Sequence, residues 1–125
     1  MLKLNYKSGV PICDQIVNGF VRMKALGLVE SGKQLPSVRA LAVELGVNPN
    51  TIQKAYQILE SSSIIYSVKG KGSFISDDAA ADTAVIMSAK RDFRAAVSAA
   101  AELGLKEKEL LEIVSEMFEK EEGAK

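Results

Sequence analysis

The chain has 125 residues, 47% of them hydrophobic, with 16 Lys and Arg balancing 16 Asp and Glu. That fits one packed domain, or one domain with a small appendage, and excludes a disordered chain. It has no histidine, which removes the commonest general base and metal ligand, and one cysteine, Cys13, which excludes an intramolecular disulfide.

The opening, Met1 to Gly9, alternates apolar and polar residues and predicts a short strand or extended arm. Pro11 then stands where a helix can begin, and Ile12, Ile16, Phe20 and Met23 recur at helical spacing, which predicts a helix to about Leu28. Gly27 and the Ser31-Gly32 pair mark its end. A second helix should start after Pro36 with Ser37 as its N-cap, bury Val38, Leu41, Ala42 and Leu45, and stop at Gly46. Asn48 caps a third, Pro49 opens it, and Ile52, Ala55, Tyr56 and Leu59 give it an inward face to about Ser62. Two short helices joined by a three- or four-residue turn containing glycine are spaced as in a helix-turn-helix.

The next two runs, Ile64 to Val68 and Ser73 to Ile75, flank Lys69-Gly70-Lys71-Gly72 and read as a β-hairpin. A hairpin straight after a helix-turn-helix is a wing. Beyond Asp77-Asp78, the Ala-rich stretch from Ala79 to Ala101 predicts a long helix, Gly104 breaks it, and a last helix should run from about Lys106 to Glu122. The fold class is therefore α+β and mostly helical, with a winged helix-turn-helix domain over residues 1–76 and a two-helix dimerisation tail over 77–125.

The zero net charge hides an asymmetry. Residues 1–75 carry nine Lys and Arg against four Asp and Glu, whereas residues 76–125 carry seven against twelve. A basic half can meet phosphates while an acidic half stays clear of them. The first residues lack the apolar stretch of a signal peptide, and no apolar run approaches the ~20 residues of a membrane helix. The expectation is a cytoplasmic protein without a membrane partner.

Three blocks carry a resemblance: Gly32 to Ala42 (GKQLPSVRALA), Leu45 to Thr51 (LGVNPNT) with Lys54, Tyr56 and Leu59-Glu60 after it, and Gly70 to Ile75 (GKGSFI). Together they resemble the DNA-binding domain of the GntR family of bacterial transcription regulators, over roughly Lys7 to Ile75. The Asn-Pro-Asn-Thr stretch, the Lys-Gly-Lys-Gly-Ser-Phe wing and the short tail are similar to its YtrA-type subfamily. Ser63 stands where the family usually has glycine between recognition helix and wing, so it should adopt a positive φ or the turn should differ. The resemblance implies a regulator of transcription, most often a repressor. An enzyme is disfavoured, because the chain has no histidine, no nucleophile elbow and no metal-ligand cluster. The alternative is a winged helix that binds a protein in place of DNA.

A recognition helix reads bases from its N-terminal end in the major groove, which singles out Asn48, Asn50, Thr51, Gln53 and Lys54. Asn48 doubles as a helix cap; for Asn50, Thr51 and Gln53 the bland reading is a solvated polar face. By resemblance Arg39 meets a phosphate or a guanine edge, against the alternative of a surface ion pair with Glu44, and Ser37 offers its hydroxyl or N–H to a phosphate. In the wing, Gly70 permits close approach to DNA and Lys69 and Lys71 supply counter-charge; the resemblance puts this tip in the minor groove. Val85, Ile86, Phe93, Val97, Leu110, Val114, Met117 and Phe118 form the candidate dimer face, because two isolated amphipathic helices bury little alone. The alternative is that these residues fold back on the winged helix. The acidic run from Glu107 to Glu122 reads as a solvated face and not as a metal site. The expected partners are double-stranded DNA and a second copy of the chain, with no cofactor; an unidentified small-molecule effector has room but no named residues. Cys13 is read as a packed residue.

Overall fold

In the computed structural model, which describes residues 2–123, the elements run α1 (Ile12–Ala25), α2 (Val38–Leu45), α3 (Pro49–Ser61), β1 (Ile65–Val68), β2 (Gly72–Ile75), α4 (Ala79–Glu102) and α5 (Glu107–Gly123). The chain divides into two compact units, Met1–Val85 and Ile86–Lys125.

The first unit is built around thirteen buried hydrophobic residues, among them Ile16 and Phe20 of α1, Leu41 of α2 and Ile52, Tyr56 and Leu59 of α3. Phe20 and Tyr56 meet edge to face with ring centroids 6.0 Å apart, a favoured aromatic geometry. Local signals set the helix ends. The Ser37 hydroxyl accepts a hydrogen bond from the Ala40 N–H at 3.0 Å, and Gly46 takes a left-handed conformation with φ 66°. Asn48 Oδ1 accepts from the Asn50 N–H at 2.8 Å, and Pro49, which has no N–H to lose, begins α3.

Two expectations about the N-terminal third change. Helix α1 ends at Ala25, short of Leu28, because the Leu26 N–H closes on Arg22 and Gly27 turns the chain at φ 71°. Leu26 and Leu28 continue the apolar letters but are exposed. The opening segment forms no strand. It is held by one side chain: Gln15 accepts from the Asn5 N–H at 2.7 Å and donates to the carbonyls of Asn5 and Val10, both at 2.8 Å.

The wing pairs Ile65 with Ile75, Tyr66 with Phe74, Ser67 with Ser73 and Val68 with Gly72. Gln34 adds a single-residue bridge to Phe74. Ser63 takes φ 60°, the strained conformation its position demands of a residue with a Cβ. Its carbonyl accepts a 2.6 Å bond from the Ser76 hydroxyl.

Helix α4 begins within the first unit. Asp78 caps it through the Ala81 N–H at 3.0 Å, Ala81 is buried in the core and Val85 packs against that core. Lys24 and Asp82 form a 2.5 Å ion pair that fastens α1 to the first turn of α4.

The second unit comprises the rest of α4 and helix α5, with Gly104 at φ 95° between them. None of residues 86–119 is buried. No helix among the described residues is long and apolar enough to cross a membrane.

Candidate nucleic-acid interface

Three places in the first unit carry the polar and basic residues singled out by sequence: the start of α2, the start of α3 and the loop between β1 and β2. Ser37 and Arg39 belong to the first. Both are exposed. The Ser37 hydroxyl is engaged as the helix cap, which leaves the free N–H groups of the first turn pointing out of the helix end, where an anion is favoured. Arg39 makes no ion pair with Glu44: the one ion pair among the described residues is Lys24–Asp82. Its guanidinium is therefore uncommitted.

At the start of α3, Asn48 is occupied by its capping bond. Asn50, Gln53 and Lys54 are exposed and Thr51 is half-buried. Helical geometry puts Asn50, Gln53 and Lys54 on one face, three or four residues apart. The opposite face carries the buried Ile52, Ala55, Tyr56 and Leu59, so burial of one side fixes the direction of the other. The Lys54 charge is also felt on α1, where it partly offsets the upward push that burial gives the Cys13 thiol.

The wing tip is a three-residue loop, Lys69-Gly70-Lys71, closed by the Lys71 N–H on the Val68 carbonyl at 2.9 Å. Gly70 has φ 78°, a conformation that costs a side-chain-bearing residue roughly 1–2 kcal/mol. With glycine there the tip has no side chain at its apex, and Lys69 and Lys71 stand exposed on either side.

Two residues with no bonding role expected from sequence join these places. Gln34 donates from Nε2 to the Lys71 carbonyl at 2.7 Å, and the Leu35 N–H donates to the Ser73 carbonyl at 2.8 Å, so the segment before α2 holds the wing. Gly72 leaves the space for this bond, since a Cβ there would stand 2.7 Å from Gln34 Nε2. Tyr56 donates from its hydroxyl to the Pro36 carbonyl at 2.7 Å, fastening α3 to the residue before the α2 cap. Burial, with the charge of Glu44 adding to it, pushes the Tyr56 hydroxyl well above its ordinary pKa, so it stays a donor at neutral pH. Both stand in the blocks that carry the resemblance, and Tyr56 also on the inward face of α3, but only the folded arrangement shows which groups their side chains hold.

The arrangement can offer a helix end, a polar helix face and a basic loop tip to a polyanion, each held against the same core. The tail candidates lie elsewhere. Val85 packs against the core of the first unit, Val97, Leu110 and Val114 are half-buried, and Ile86, Phe93, Met117 and Phe118 are exposed.

Comparison with known proteins agrees with this geometry. Residues 22–75 match the model of the gntR family of bacterial regulatory proteins. The chain is 39% identical to the HTH-type transcriptional repressor YtrA of Bacillus subtilis over 63% of its own length and 61% of that protein's, so it matches less than two thirds of that repressor. It is 37% identical to the HTH-type transcriptional regulator YhcF of the same organism, over 81% of each chain. Among solved structures, a GntR family transcriptional regulator from Listeria monocytogenes superposes with a TM-score of 0.66 at 34% identity, over 89% of this chain and 98% of that one. The DNA-binding domain of AraR in complex with operator ORE1 superposes with a TM-score of 0.52 at 26% identity, over 61% of this chain and 93% of that one. The chain belongs to the GntR family of bacterial regulatory proteins and carries that family's DNA-binding winged helix.

Proposed function

We propose that this DNA-binding regulator represses transcription in the bacterial cytoplasm by binding an inverted-repeat operator as a homodimer. One observation carries the reading: the cations at the interface stand on a unit with its own core, whereas residues 86–119 include no buried side chain and expose Phe93, Met117 and Phe118. Residues 1–76 then serve DNA and 77–125 serve the second copy. The YtrA repressor's name supports repression, and the AraR–operator complex supports duplex DNA as the partner.

In the working arrangement the N-terminal end of α3 enters the major groove. Asn50 and Gln53 are suited to adenine edges, and Lys54 to a phosphate. Arg39 reads a guanine or holds a phosphate, and the α2 cap presents its N–H groups to the backbone. Lys69 and Lys71 flank Gly70 at the minor groove. A two-fold dimer repeats this on a second half-site, roughly 10 base pairs or a multiple away.

The test is a salt titration of affinity for duplex DNA, run beside light scattering. Phosphate contact by several Lys and Arg should give a steep linear fall of log affinity with log salt, and scattering should return twice the chain mass. A flat salt response would replace DNA with a protein partner, and a monomeric mass would remove the dimer.

A further inference from the structure

The first unit contains a cavity of about 130 Å³ behind the segment that holds the wing. Phe20 and Met23 of α1, Leu41 and Leu45 of α2, and Leu35 and Ile75 wall it. The Leu2 side chain also lines it, packed where Gly19 leaves room on α1: a Cβ at Gly19 would overlap Leu2. The lining residues Lys33, Gln34 and Glu44 are exposed, which puts them at its mouth.

The cavity opens to solvent at that mouth, so a molecule of matching size can enter it. A cavity with apolar walls does not hold water well, and an engineered cavity of about 150 Å³ with such walls stays dry and takes up benzene. We infer that this cavity is a binding site for a small apolar molecule of about benzene's size, and that occupancy there regulates DNA binding.

The regulatory part follows from what the walls are attached to. Gln34 holds the wing through the Lys71 carbonyl, and Leu35 holds it through the Ser73 carbonyl. Pro36, also on the lining, receives the Tyr56 hydroxyl from α3 and precedes the Ser37 cap of α2. All three DNA-facing places are therefore fastened to three consecutive residues of the cavity lining. A molecule that moves or fixes Gln34–Pro36 shifts them together. Every one of these lining residues belongs to the first unit.

The regulatory consequence rests on the DNA-binding reading, but the binding step does not, so the two are measured separately. Full-length protein labelled at its methyl groups is titrated with benzene and followed by NMR. The methyls of Met23, Leu35, Leu41, Leu45 and Ile75 should shift saturably while those of Leu111 and Met117 stay still. Two cavity-filling variants at half-buried lining positions, Val29→Phe and Leu45→Phe, should each weaken benzene binding tenfold or more; an unfolding midpoint shows which of them is folded. Should neither fold, the wild-type map decides alone. Shifts that do not saturate, shifts confined to the tail, or undiminished binding in a folded variant would overturn the site. With the site shown, benzene saturation should change affinity for the selected operator at least threefold, and operator should change benzene affinity by the same factor. Equal affinities would overturn the regulatory role and leave the site standing.

Discussion

The two units solve the burial problem differently. In the first, three helices, a hairpin and the start of α4 enclose Ile16, Ile52, Leu59, Ile64 and Ile65 almost completely. In the second, two helices of 24 and 17 residues, the first shared with the other unit, leave every side chain from Ile86 to Glu119 at least partly exposed. The difference teaches where each unit's stability comes from. A helix pair with an apolar stripe and no core gains little from its own chain. Its stripe is useful only against another surface, and the simplest such surface is the same stripe on a second copy.

That contrast can be broken by charge on the tail. Phe93→Asp and Met117→Asp place a carboxylate on the proposed dimer face, where burial without a partner is strongly unfavourable. Each should yield a monomer by light scattering and lower affinity for the selected operator by on the order of a thousandfold, toward non-specific binding. The amide spectrum of residues 2–78 should stay as it is. A variant that remains dimeric would place the interface elsewhere.

A cavity in the core should have the opposite signature. Ile52 is fully buried, and Ile52→Ala should cost about 3 kcal/mol of stability in chemical unfolding. Dimerisation of the folded fraction should be unaffected. A loss within experimental error would mean that the first unit is not stabilised by this core.

Arg39→Ala should separate recognition from both. It should weaken operator binding by about 2 kcal/mol with no change in stability or mass. If Arg39 reads a base, discrimination at one operator position relaxes; if it holds a phosphate, all sequences weaken alike and the salt slope falls by about one. Unchanged binding would remove Arg39 from the interface.

The smallest effect is at Tyr56. Loss of its bond to Pro36 in Tyr56→Phe should cost about 1 kcal/mol at neutral pH. The native hydroxyl is held above its ordinary value of 10, so the folded state keeps a proton that the unfolded state gives up. This contribution is whole below pH 10 and is lost as pH rises above it. The wild type should therefore lose stability with rising alkali more steeply than Tyr56→Phe. Parallel alkaline unfolding curves would contradict the burial of this hydroxyl.

Much of the first unit was legible because its boundaries are written in residues with narrow conformational choices. Ser37, Gly46, Asn48 and Pro49 each have one physical role at a helix end, and the strain at Ser63 followed from a side chain where a left-handed residue is needed. The misread stretches are those where apolar letters were ambiguous. Leu2 and Leu4 alternate as a strand would, but both pack against the helical core, and the backbone of Asn5 just after them is taken by Gln15. Leu26 and Leu28 continue a helical pattern past the point where Gly27 ends it. Val85 belongs by spacing to the tail stripe yet packs into the first unit, since periodicity gives a face and not its neighbour. In the proposed interface, the exposed polar and basic residues were readable by type and position. Gln34 and Tyr56, which hold those groups in place, were not, because a single long-range hydrogen bond leaves no trace in local sequence.

The most direct test of the central claim is selection of bound sites from a random duplex library with full-length protein, followed by sequencing. The account predicts an inverted repeat whose half-sites lie roughly one helical turn or a multiple apart. Recovery of a single unrepeated half-site would contradict the dimer, and no enrichment by folded protein would contradict sequence-specific DNA recognition.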